Sequence, residues 1–209
     1  HTKRNLFPNS PIIDTELGLA RTQTSTLYIR LLKRFLATQT NFIQECRTYL
    51  DNQDPLAATR HAHTLKGVAG TLGMTALETS SGKLEKALDD AENDISPILF
   101  LVESDLNLTL KALQHWQDTT KESDKTTESD AQTVPAIDAI ALQEKLNTLK
   151  TYLDDHVAEA LSIAEELLPH MKDRQTHKHM TKLISALNVY DFDLAIEHFT
   201  LLKPYLEGP

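Results

Sequence analysis

The chain has 209 residues, 40% of them hydrophobic and 24% charged, a globular composition that allows one large domain or two small ones. Its formal net charge of −9 argues against nucleic acid as a main partner, because a polyanion would be repelled. No stretch approaches the roughly 20 apolar residues of a membrane span, and there is neither a signal-peptide pattern nor an initiating methionine, so the chain reads as an excised soluble piece of a longer protein whose own membrane anchor would leave no trace here.

Only six glycines and long runs of helical periodicity predict an all-α protein. Residues 1–10 read as a loose leader. Ile12 to about Leu19 is expected to form a short helix capped by Ser10. A first long helix follows from about Thr24 to Leu50, with Tyr28, Leu31, Leu32, Phe35, Phe42, Cys46 and Leu50 in helical register. Cys46 is the single cysteine and cannot close an internal disulfide, which points to a reducing, cytoplasmic setting. Asn52-Gln53-Asp54 breaks the pattern; Asp54 is a good N-cap and Pro55 suits the first turn of a second helix, which stops at Gly73. A third helix points Leu77, Leu84, Leu88 and Ala91 inward. Ser96-Pro97 opens a fourth, with Leu99, Val102, Leu106, Leu110, Leu113 and Trp116 in line. Four antiparallel helices with short turns make an up-down bundle over residues 11–118.

Residues 119–135 hold no large apolar side chain before Val134 and read as a flexible linker. Residues 136–209 resume helical periodicity as a second, small helical domain. Its first helix carries Leu142, Leu146, Leu149 and Leu153. Its second runs from about His156 to Leu168, its third carries Met180, Leu183, Ile184 and Leu187, and its last starts at Asp191 with Leu194, Ile196, Phe199 and Leu202 inward. A gapless comparison of the two halves pairs Asp54 with Asp191 and His61 with His198 but sets Thr200 opposite His63. A degenerate second copy of the bundle would therefore lack the histidine discussed next.

The second helix holds the run His61-Ala62-His63-Thr64-Leu65-Lys66-Gly67-Val68-Ala69-Gly70. Ala58, Ala62, Leu65, Ala69 and Leu72 form one apolar stripe. At about 100° per residue, His63 lies roughly 140° from that stripe. Lys66, Gly67 and Gly70 fall beside it, while His61 sits at the stripe's edge as a packed histidine. Glycine in a helix interior costs about 1 kcal/mol relative to alanine. Two of them beside His63 suggest that something large approaches its imidazole.

His63-Thr64-Leu65-Lys66-Gly67, with Gly73 further on, resembles the signature of histidine-containing phosphotransfer (HPt) domains, the four-helix modules of bacterial phosphorelays. The resemblance covers about residues 10–118. It implies that His63 accepts a phosphoryl group from a receiver-domain aspartate and passes it to another, with Lys66 stabilising charge on the phosphoryl oxygens. Thr59, Gly67 and Gly70 would meet the docking receiver (response regulator) domain. No cofactor is implied for this chain itself; Mg would belong to the receiver. A parent of the hybrid sensor histidine kinase type is also implied, and Tyr190-Asp191-Phe192-Asp193-Leu194-Ala195 is similar to tails of such kinases.

Chemistry supports that role on its own terms. A neutral imidazole, with an unperturbed pKa of about 6.5, is a nucleophile near neutral pH, and phosphoryl transfer asks the protein mainly for positioning and charge stabilisation. A glycine-rich phosphate loop and a Gly-x-Ser-x-Gly elbow are both missing from the sequence, so ATP-driven kinase activity is not expected of this chain. His170, His177 and His179 invite a metal site, but His177 and His179 point about 200° apart on a helix and no standard zinc set accompanies them. The competing reading is a non-catalytic helical interaction or dimerisation module.

Overall fold

The structure is a computed structural model that describes residues 6–121 and 138–206. Among these residues every regular element is a helix. The chain divides into two compact units, residues 1–125 and 126–209.

The first unit begins with α1 (Thr15–Thr22) and α2 (Ser25–Thr38), followed by α3 (Phe42–Asp51) and α4 (Pro55–Thr71). It closes with α5 (Thr75–Asp89) and α6 (Ser96–Lys121). The single long helix expected from Thr24 to Leu50 is two helices, broken at Gln39–Asn41. Thr38, Thr40 and Asn41 are poor helix formers. Phe35 before the break and Phe42 after it are both buried, so the apolar register runs across the gap and hides it from a periodicity reading.

The first short helix also starts later than expected. Its cap is Asp14, whose carboxylate accepts the Leu17 amide at 3.0 Å, while Ser10 only closes a turn on Ile12. The leader is anchored where it is described. Trp116 donates its indole N–H to the Leu6 carbonyl at 3.2 Å, Phe7 meets the Tyr28 ring, and Pro8 is buried.

The core is built from the predicted stripes. Tyr28, Leu31, Leu32 and Phe35 of α2 are fully buried, as are Ala58, Ala62, Leu65, Ala69 and Leu72 of the His63 helix and its C-cap. Leu77, Leu84 and Leu88 of α5 face inward with Leu99, Val102, Leu106, Leu113 and Trp116 of α6. Ala91 does not join them; it is exposed, with a positive φ just past the end of α5. Cys46 is buried, and burial pushes its thiol up to about 11, so it stays protonated and inert at neutral pH.

The hairpin of α4 and α5 carries the site. Asp54 caps α4 by accepting the Ala57 amide, with Pro55 in the first turn. Gly73 turns the chain with φ +76, and a Cβ there would run into the Asp14 carbonyl. The Asp14 amide donates to the Gly73 carbonyl at 2.8 Å, and the Tyr28 hydroxyl donates to the Leu72 carbonyl at 3.0 Å. The turn is thus pinned from two elements.

α6 continues through Lys121, and the hydroxyls of Thr119 and Thr120 bond the Trp116 carbonyl. The expected linker therefore begins later than residue 119, and its remainder lies outside the described residues.

The second unit holds α7 (Ala139–Asp154), α8 (Ala160–Leu167), a 3-10 turn (Leu168–His170), α9 (Arg174–Leu187) and α10 (Phe192–Leu206). Leu146, Leu149, Leu153, Leu161, Leu167, Met180, Leu183 and Leu202 are buried. Two details differ from the periodicity. α8 starts at Ala160, because His156 takes a positive φ and stacks flat on Phe192. On α10, Phe192 and Ala195 face the core, and Leu194 does not.

Candidate functional site

His63 lies on α4, with its side chain 39% exposed. Lys66 is one turn further on the same side, 44% exposed. The residue that joins them is Glu85, on the facing turn of α5 and only 18% exposed. Glu85 Oε1 lies 2.6 Å from His63 Nδ1, and Lys66 Nζ donates to Glu85 Oε2 at 3.0 Å. One carboxylate thus sits beneath both polar groups. Burial opposes its charged form, but the hydrogen bonds from Lys66 and His63, with their charges, outweigh burial and hold the carboxyl below the ordinary glutamate range. An ionised carboxylate only accepts, so the contact with His63 calls for a proton on Nδ1, and in the neutral ring the lone pair is then on Nε2.

Glu85 escaped the sequence reading. Its signal lay in the hairpin register: residues equally far from Met74 on either side face each other across α4 and α5. His63 meets Glu85 in this way, and Gly70 meets Glu78. Lys66 meets Gly82, whose Cβ position lies 3.5 Å from its Cδ, so the lysine stem runs across the α5 backbone there on its way to Glu85.

Gly70 corrects one expectation. It is buried, not bare. Arg21 of α1 donates to its carbonyl, and the Glu78 carboxylate lies over its Cα, 3.7 Å from the same guanidinium. The small residue there makes room for this clamp. Gly67 and Thr59 are half-buried on the His63 side of α4, and the Thr59 hydroxyl bonds the Pro55 carbonyl at 3.0 Å. Leu56, one turn before Thr59, was passed over in the sequence and is 63% exposed.

His61 points elsewhere. Its ring stacks on Phe42 with centroids 4.3 Å apart and meets the edge of Tyr49. Its Nε2 is 3.3 Å from a Glu45 oxygen, off line for a hydrogen bond. Burial, outweighing Glu45 and a hydrogen bond to the Phe42 backbone, pulls its pKa below the ordinary histidine value. In the second unit His179 meets His198, Nδ1 to Nδ1 at 3.4 Å. No group of three or more metal-ligating side chains occurs among the described residues.

The site geometry therefore offers a partly exposed imidazole, held by a carboxylate beside a lysine, on α4 of a helical bundle. The family model of the Hpt domain matches residues 30–116, from α2 to Trp116. That segment is a histidine-containing phosphotransfer domain, the kind of module that exchanges phosphoryl groups with receiver domains in two-component phosphorelays. No curated protein and no solved structure compared with the chain gives a match. No helix among the described residues is long and apolar enough to cross a membrane.

Proposed function

We propose that His63 is the phosphoacceptor of this domain, taking a phosphoryl group from a receiver aspartate and passing it to another. The observation that carries the reading is the 2.6 Å contact between Glu85 and His63 Nδ1, which leaves Nε2 as the nucleophilic nitrogen of a half-exposed ring. In-line attack by Nε2 on the aspartyl phosphate forms the nitrogen–phosphorus bond, and the electron pair of the broken bond returns to the receiver carboxylate. Lys66, one turn away, supplies positive charge to the phosphoryl oxygens. The receiver brings Mg and the aspartate; this chain supplies the ring and its setting. Thr59, Gly67 and the exposed Leu56 form the surface next to His63 on which a receiver would dock.

The same reading places the chain in the C-terminal part of a hybrid sensor kinase, supported by the Tyr190–Ala195 pattern, and makes residues 138–206 a separate helical domain of the parent. The test is transfer from a phosphorylated receiver. Wild type and His61→Gln should take an acid-labile, alkali-stable label that His63→Gln does not, and Lys66→Ala should slow transfer by about 10-fold or more. Label on His63→Gln would refute the assignment. Failure of the wild type with several receivers would favour a non-catalytic interaction module.

A further inference from the structure

We propose that His179 and His198 form a zinc-binding site in the second unit, with Nδ1 of each ring as a ligand and water in the remaining positions. The proposal is independent of the chemistry at His63.

Helical spacing keeps His177 and His179 apart, but the fold sets His179 of α9 against His198 of α10. These two helices pack together, and the rings meet between them with centroids 5.6 Å apart. Their Nδ1 atoms are 3.4 Å apart. His179 is half-buried and His198 is buried, so packing holds both rings. Ligands held on two packed helices make a firmer chelate than ligands on a loop.

The separation selects among metals. Zinc–imidazole bonds are about 2.0–2.1 Å long, so two nitrogens 3.4 Å apart that share one zinc subtend about 112° at it, close to tetrahedral. Ligands at right angles, as around tetragonal copper(II) or nickel(II), would stand about 2.9 Å apart. Zinc fits without moving either helix.

Protonation also suits a metal. A zinc ligand is a neutral imidazole with its lone pair on the bound nitrogen. Burial first, then Lys182 and His179, hold His198 below the ordinary histidine range against the opposing pull of Glu197, so this ring is neutral near pH 7. In the metal-free pair a hydrogen bond needs hydrogen on one Nδ1 and a lone pair on the other. On zinc binding that hydrogen moves to Nε2 of its own ring by exchange with solvent. Both lone pairs then turn to the metal, and no net proton is released. Lys182, one turn from His179, opposes a second cation, and among the described residues no third ligand joins the pair, so the affinity is modest. Bound zinc ties α9 to α10 and stabilises the second unit as its concentration rises above the Kd.

The test uses the full chain with 15N-labelled histidine rings at about pH 7.5, titrated with Zn2+ alone. The Nδ1 resonances of His179 and His198 should shift together and saturate at one zinc per chain. His179→Ala should weaken this binding by at least the roughly 10-fold that loss of an outer-shell partner costs. His177→Ala, at an exposed neighbour on α9, should leave it unchanged. His63→Gln should leave it unchanged too, which separates the site from phosphoryl transfer. Backbone spectra of α9 and α10 confirm that each variant is folded, and the wild-type ring shifts need no variant at all. Zinc that shifts neither Nδ1, shifts only one of them, or shifts other histidines alone overturns the proposal. Binding to His179→Ala as tight as to wild type overturns it as well.

Discussion

Burial disfavours the charged form of His61 more than Glu45 and the Phe42 backbone favour it, so the unfolded chain takes up a proton at a pH where the folded chain does not. Stability of the first unit should then fall as pH drops through the ordinary histidine range. Glu85 acts in the same direction further down. Its carboxyl is held below the ordinary glutamate range, so its contribution is present above that range and lost as pH falls through the folded value. His61→Phe keeps an aromatic ring against Phe42 and removes the titration. Trp116, the only tryptophan and a buried one, reports on this unit. Its denaturation midpoint should fall between about pH 7.5 and about pH 5.5 in wild type and fall less in His61→Phe; an equal drop in both would show that His61 is not the group responsible. The contrast between His61 and His63 was legible from helical spacing alone, because the angle from the apolar stripe sets which ring meets the core. Glu85 was not, since its role depends on a partner helix.

At the scale of elements, the α4–α5 hairpin decides the site, and its turn is the sensitive point. Gly73 combines a φ of +76 with a Cβ position blocked by the Asp14 backbone. Gly73→Ala should cost about 1–3 kcal/mol from the backbone conformation alone, and more from the clash. Gly70→Ala should differ sharply. What its Cβ would meet is the far end of the Glu78 side chain, which can swing away, and alanine gains about 1 kcal/mol of helix propensity. Trp116-monitored unfolding of both variants checks this; equal losses would mean that the Arg21–Glu78 clamp is as rigid as the turn. The extent of α4 and its buried face were readable from Asp54, Pro55, Gly73 and the stripe. The break between α2 and α3 was not, because both halves hold one register. The burial of Gly70 was not either, because it depends on Arg21 reaching over from α1.

At the scale of the molecule, the two units have separate cores. Residues 1–125 expressed alone should unfold cooperatively with the Trp116 midpoint of the full chain. Trimming to residues 10–118 removes the Leu6 carbonyl from Trp116, the Phe7 contact with Tyr28, the buried Pro8 and the last turn of α6. That fragment should be weaker by about 1–2 kcal/mol. Equal midpoints for the two fragments would show that the leader adds nothing. The second unit was legible as four helical stretches; its departure at His156 goes with the stacking of that ring on Phe192, which a period cannot show.

The most direct measurement is 15N and 31P NMR of the phosphorylated full chain with labelled histidine rings. The account predicts phosphorus coupled to Nε2 of His63, with Nδ1 still protonated. Phosphorus on Nδ1, on another histidine, or on no histidine after exposure to phosphorylated receivers would contradict it.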